Sequence, residues 1–384
     1  MDKEARGLFG LSLGHFVLDS YAAILIPLYP FIAQRLEINI TTISFVIALG
    51  HSISSIMQPV FGYFADNISK RFFMFWGLIL ASVFMPLGYI APNATVLTIC
   101  LILGMLGNAF YHPQVTKMLK DFYAENQKLS FAIGLFLGLG TIGYALAPYF
   151  SAYMAQTLKD TRYVCIGIVG IVISFFILFF VPKISKIKEK TKINFLEAIK
   201  ELFSNKVCIF LIIITVIKAS LIMSFGTYVP FLLKKFNFPV VQVGFILTLF
   251  YIMGGFSMII ASKIENKLKL KGMICLSYLP LLPLTIAFLV LLKYNKILST
   301  LILILIGFFV LLSAGVVLAH AQKTTTKYVG VISGIIQGLT LAIGSLLLIP
   351  FGYLGQHVGV EWVLITITTI AFISSIYTLK TKII

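Results

Sequence analysis

Acidic residues are scarce in this chain: 13 Asp and Glu among 384 residues, with charged residues of both signs making up only 11%. A water-soluble domain carries about 25% charged residues, so a soluble enzyme or binding module is excluded at the outset. Cysteine is equally sparse. The four residues Cys100, Cys165, Cys208 and Cys275 show no CxxC spacing, which removes disulfide scaffolds and cysteine-ligated zinc. Long polar stretches are missing except for one, Lys183 to Lys206. No G-x-x-x-x-G-K-[ST] loop, HExxH helix or nucleophile elbow occurs, so an ATP-driven pump and a membrane-embedded hydrolase both lack their machinery.

What remains is apolar. Hydrophobic residues account for 59% of the chain and group into about twelve runs of 18 or more residues, each long enough to cross a bilayer as a helix. The runs fall at roughly 8–33, 42–64, 72–90, 95–114, 129–153, 163–182, 207–233, 241–262, 272–292, 299–320, 328–354 and 362–379. The expected fold is an all-α membrane protein of twelve transmembrane helices in two pseudo-symmetric six-helix bundles.

The net charge of +17 is distributed as topology demands. If the amino terminus is cytoplasmic, 22 of the 30 Lys and Arg residues lie on that side and 7 on the other, a positive-inside bias that puts both termini in the cytoplasm. The basic excess therefore faces anionic lipid headgroups, and nucleic acid is not an expected partner. Trp76 and Trp362 sit at span ends, as an aromatic belt would place them. The amino-terminal run has no basic leader or cleavage site and reads as a retained span.

The polar stretch divides the chain into an amino-terminal half, 1–182, a linker, 183–206, and a carboxy-terminal half, 207–384. Within the linker, Phe195, Leu196, Ile199, Leu202 and Phe203 recur at helical spacing behind a possible Asn194 cap, predicting an amphipathic helix on the cytoplasmic surface. Sliding the second half back by 200 residues superimposes Tyr29-Pro30-Phe31 on Val229-Pro230-Phe231, and Phe45 on Phe245. It also superimposes Gly134-x-x-x-Gly138 on Gly334-x-x-x-Gly338. These are parallel repeats, and the glycine pairs are expected to let helices approach closely.

Twelve of the thirteen acids fall in loops or at termini. The exception is Asp19, about twelve residues into the first run; the one deep basic residue is Lys218, in the equivalent seventh run. A charge at the bilayer centre costs about 2.5–3.5 kcal/mol on the insertion scale, so an intramembrane ionisable residue is a functional candidate. Asp19 and Lys218 are expected to face a shared polar passage, where making and breaking their contact would switch Asp19 between proton uptake and release. A static ion pair fixing helix register is the alternative. His15 lies four residues before Asp19 on one helix face. With His112 it completes the proton-coupling candidates. Lys218, His51, Tyr111, Gln114 and Gln337 are the substrate-binding candidates. No spacing of His with carboxylates suggests a metal site, and no cofactor is expected.

The decapeptide Gly62 to Arg71, with Asp66, Lys70 and Arg71 in a tight cytoplasmic turn, reads as a conformational latch. It resembles the G-x-x-x-D-x-x-[GS]-[RK]-[RK] signature of the major facilitator superfamily. More narrowly, the chain is similar over nearly its whole length to the fosmidomycin-resistance branch of that superfamily. The residues carrying this are His15-Phe16 with Asp19, Tyr29-Pro30 and Gln58-Pro59-Val60-x-Gly62-Tyr63. Gly107-x-x-Phe110-Tyr111-His112-Pro113, Gly140-x-x-Gly143 and Ala321-Gln322 followed by Gly330-x-x-Ser333-Gly334 complete them. The resemblance implies a monomeric, proton-driven inner-membrane antiporter exporting a small amphiphilic or anionic molecule, an antibiotic in the named case. Import of an organic anion with protons is the close alternative, and a membrane-embedded enzyme or scaffold the distant one. Gln114 stands where the branch usually has Glu, and Lys218 where Arg is expected, so one proton carrier and one bidentate fork are absent.

A carboxy-terminal fluorescent-protein fusion should fluoresce, and the same fusion to alkaline phosphatase should be inactive. The opposite pair of results would invert the topology.

Overall fold

A computed structural model of the chain describes residues 2–64, 70–123, 129–158, 160–182, 195–325 and 329–382. All regular structure among them is helical, which is what lipid imposes on a chain that must satisfy every backbone N–H and C=O internally. In order, the helices begin with α1 (Lys3–Ala23), a 3₁₀ turn (Ile26–Leu28), α2 (Tyr29–Arg35), α3 (Ile40–Phe64), α4 (Lys70–Tyr89) and α5 (Ala94–Phe122). Next come α6 (Leu129–Leu158), α7 (Ile166–Phe180), the linker helix α8 (Phe195–Ser204), α9 (Lys206–Lys235) and α10 (Val240–Tyr278). The series ends with α11 (Leu281–Leu291), α12 (Lys296–Leu312), α13 (Ala314–Lys323), α14 (Val329–Gly334), a π turn (Ile335–Leu339), α15 (Thr340–Leu346), α16 (Leu348–His357) and α17 (Val360–Lys380).

Eleven stretches among the described residues are long and apolar enough to cross a membrane. One of them, Val240–Leu291, has 52 residues. At 1.5 Å per residue it would reach ~78 Å, more than twice a hydrocarbon core of ~30 Å. It turns back at Lys269, whose φ of 53° breaks α10, so the stretch makes two crossings and the total is twelve. Phe179 at 78% exposure and Ile297 at 76% are at home only against lipid tails.

Asparagine sets several helix starts. Asn93 accepts the Val96 N–H at 2.9 Å, Asn295 the Leu298 N–H at 3.0 Å, and Asn205 those of Val207 and Cys208. Asn39 does the same for Thr42 at 2.8 Å. Asn39 and Asn93 are therefore helix caps.

The chain forms two compact units. The first comprises Met1–Ile38, Leu49–Lys188 and Pro239–Thr248, and the second Asn39–Ala48, Glu189–Phe238 and Leu249–Ile384. In the first unit, the Tyr149 N–H donates to Thr248 Oγ1 at 3.1 Å. In the second, the Ile40 N–H donates to Gln356 Oε1 at 3.0 Å, and the Ser44 and Tyr228 hydroxyls lie 3.1 Å apart.

The repeat is visible in the backbone. Glu37 (φ 54°) and Asn237 (φ 57°), 200 residues apart, are both left-handed. Around Glu37 the N–H groups of Leu36, Glu37 and Ile38 bond the carbonyls of Ile32, Gln34 and Ala33. Around Asn237 those of Phe236, Asn237 and Phe238 bond Leu232, Lys234 and Leu233. Each is a left-handed helix stop satisfying orphan carbonyls.

The expected glycine contacts need correction. A Cβ built at Gly134, Gly138 or Gly334 meets no described atom within 4 Å, so these positions make no close helix approach; Gly338 is buried. The tight packing lies one or two turns further along. A Cβ at Gly143 would strike the Phe16 carbonyl of α1, and one at Gly344 would strike Ala219 and the Ser220 backbone of α9. The offset here is 201, not 200, because the π turn at Ile335–Leu339 accommodates one extra residue.

Gly77 and Gly107 show the same logic between α4 and α5, since a Cβ on either would drive into the other's carbonyl oxygen. Gly107→Val should therefore lower the thermal midpoint of the detergent-solubilised protein by an amount equivalent to about 1–3 kcal/mol. Gly134→Ala, with open space around it, should leave the midpoint unchanged or raise it. Equal midpoints for both would refute this account of the packing.

Candidate functional site

The first unit brings three titratable side chains together at one place. On α1, His15 and Asp19 share a face, with His15 Nε2 3.1 Å from Asp19 Oδ2. From α5, His112 brings Nε2 to 3.5 Å from Asp19 Oδ1. From α6, the Phe136 carbonyl lies 2.8 Å from His15 Nδ1. The His15 ring is stacked on Phe136 (centroids 4.0 Å apart) and meets His112 edge-on at 4.9 Å. Gly140 completes the wall, because a Cβ there would occupy the His15 ring. Tyr111, fully buried, donates to the Leu11 carbonyl at 2.7 Å and packs its hydroxyl over Gly14.

Hydrogen-bond stereochemistry constrains the cluster. A carbonyl only accepts, so His15 Nδ1 must carry a hydrogen toward Phe136. The atom facing Asp19 is then Nε2. Without a proton in that contact, a nitrogen lone pair would oppose a carboxylate oxygen. The pair is stable when it holds one shared proton, either as imidazolium and carboxylate or as imidazole and carboxylic acid. His15 is sealed at 2% exposure, whereas the Asp19 and His112 side chains keep 19% and 29%. The cluster is thus shut on one side and open on the other.

In the same unit a cavity of about 670 Å³ is walled by Leu8, Phe9, Phe16, Leu135 and Leu139, with Asp2 and Glu4 among its lining residues; none of the three cluster residues lines it. Tyr123 borders this cavity, and its phenol is pushed up by burial and by the nearby Glu4 and Asp2 carboxylates.

The other sequence candidates are not members of this three-residue cluster. His51 is half-buried on α3, outside the three-residue cluster. Gln114 is fully buried and donates from Nε2 to the Phe61 carbonyl at 3.0 Å, while its Oε1 has no partner among the described residues. Lys218 is half-buried on α9 in the second unit, and Gln337 is an exposed residue of the π turn in that unit. In the latch, Asp66 lies outside the described residues. Gly62 lies in the last turn of α3, Lys70 opens α4, and Arg71 follows it half-buried. The second unit has no copy of the cluster: at an offset of 200, the positions of His15, Asp19 and His112 hold Thr215, Ala219 and Leu312. Sequence spacing gave no metal-ligand pattern; in the fold His15, Asp19 and His112 each bring one potential ligand atom to within 4.8 Å of the others. Helix contact between α1 and α5, invisible to spacing along the chain, is what assembles them.

Twelve apolar crossings, a repeated six-helix design and a half-open buried ion cluster define a polytopic transport protein, not an enzyme. The chain belongs to the Major Facilitator Superfamily, whose family model matches residues 11–348. It is 23% identical to the fosmidomycin resistance protein of Escherichia coli (strain K12) over 94% of this chain and 90% of that one. It is likewise 23% identical to the uncharacterized MFS-type transporter YfnC of Bacillus subtilis (strain 168), over 93% and 88%. Among solved structures, a bacterial homolog of the human lysosomal transporter Spinster superposes with a TM-score of 0.81 at 12% identity, covering 99% of this chain and 97% of that one. The fold is that of the major facilitators.

Gly140→Ala should dislodge the His15 ring and reduce transport at least as strongly as His15→Ala, with the protein still monodisperse in detergent. Wild-type transport by a folded Gly140→Ala protein would show that the ring's position is immaterial.

Proposed function

We propose that this transporter is a proton-coupled antiporter that exports a small amphiphilic or anionic molecule across the inner membrane by alternating access. The observation that carries the reading is the His15–Asp19–His112 cluster, a half-buried carboxylate held by two imidazoles at 3.1 and 3.5 Å. A group of this kind, sealed behind and accessible in front, can hold a proton in one state and surrender it in another. Its likeness to the fosmidomycin resistance protein over 94% of the chain supports export.

In this reading the roles divide between the halves 1–182 and 207–384, which rock as two bodies joined by the linker. Asp19 carries the proton, His15 and His112 hold and relay it, and Tyr111 orients the α1 backbone through the Leu11 carbonyl. Lys218 attracts the anionic end of the substrate as a compact point charge. His51, Gln114 and Gln337 supply further polar contacts. Gly62, Asp66, Lys70 and Arg71 form the cytoplasmic latch. The protein works as a monomer, with both termini in the cytoplasm.

The test is reconstitution into liposomes with an imposed pH gradient and a panel of anionic and amphiphilic antibiotics. Asp19→Asn should abolish gradient-driven accumulation while preserving substrate counterflow, and Lys218→Ala should lose both for anionic substrates. Gradient-driven transport by Asp19→Asn at the wild-type rate would refute the proton assignment. Accumulation in the same direction as the proton would replace export by import.

A further inference from the structure

We propose that His15 Nε2, the Asp19 carboxylate and His112 Nε2 form a binding site for a divalent transition-metal ion of the zinc class. The proposal rests on the geometry of one helix bundle and needs no assumption about transport direction. In a tetrahedral site with ligand bonds of about 2.0–2.2 Å, ligand atoms sit roughly 3.3–3.5 Å apart. His15 Nε2 lies 3.1 Å from Asp19 Oδ2 and His112 Nε2 lies 3.5 Å from Asp19 Oδ1, so the carboxylate meets the two imidazoles with different oxygens, and one ligand atom from each of the three residues falls within 4.8 Å of the others.

The surroundings are those of a ligand set. His15 donates Nδ1–H to the Phe136 carbonyl at 2.8 Å, which fixes the tautomer that turns the Nε2 lone pair toward the site. A backbone carbonyl on the far nitrogen is the usual outer-shell partner of a metal-bound histidine. Gly140 and the Phe136 ring hold that imidazole in place. The partial exposure of Asp19 and His112 leaves the fourth position to water or to a ligand arriving from the open side, as in sites with three protein ligands. Two imidazoles and one carboxylate favour zinc, cobalt, nickel or copper over magnesium or calcium. A metal here takes the same lone pairs that otherwise share a proton.

The experiment uses the full-length protein in detergent, stripped with chelator and titrated with Co²⁺. One equivalent should bind and give the visible absorption of a tetrahedral or five-coordinate cobalt site, and Zn²⁺ should displace it. His15→Ala, His112→Ala and Asp19→Asn should each weaken binding by roughly tenfold or more. His357→Ala, which alters an exposed histidine of the second unit, should bind as the wild type does. Folding of every variant is checked by its thermal midpoint. No stoichiometric cobalt binding, or binding that survives all three substitutions or is lost with His357→Ala, would overturn the proposal. Proton flux measured in chelator-treated proteoliposomes tests the transport reading separately, so either can fail alone.

Discussion

An ionised carboxylate inside a lipid-embedded bundle survives only if something beside it carries a positive charge or a proton, and that requirement organises the first half of this protein. Asp19 obtains its partners from α1 and α5. For His15 to serve, its far nitrogen must be anchored, and the Phe136 carbonyl of α6 does so. For the ring to fit, α6 must approach without a side chain at position 140. For Tyr111 to hold α1 from the other side, position 14 must likewise be bare. One charge thus fixes the mutual packing of three helices.

Much of this architecture was readable along the chain, because lipid leaves a sequence few choices. Twelve apolar runs, the polar linker and the offset of 200 all follow from hydropathy and from residues such as Tyr29 and Pro30. The linker helix at Phe195–Ser204 coincides with the amphipathic pattern. His15 and Asp19 could be paired from spacing alone, since four residues make one helical turn.

The tertiary partners were not legible. His112 reaches Asp19 across 93 positions, and the Phe136 carbonyl reaches His15 across 121; neither separation carries a periodic signal. The glycine motif misled for a related reason. Gly134-x-x-x-Gly138 has the spacing of a packing face, but which face of α6 meets α1 is decided by the bundle, and the contact falls at Gly140 and Gly143. The two halves also look more alike in sequence register than in chemistry, since Thr215, Ala219 and Leu312 occupy the places of the three cluster residues.

The π turn at Ile335–Leu339 has a consequence for how the two halves keep matching contacts. A single inserted residue advances everything beyond it by one step of about 100° around the helix axis, unless the turn absorbs it in place. Here the absorption is local: Gly344 still seats against α9 as Gly143 seats against α1. The price is a widened coil that presents Gln337 on its outer surface. A one-residue difference in length that would elsewhere have rotated an interface out of register is confined to one widened turn, and the helix pair beyond it stays in contact.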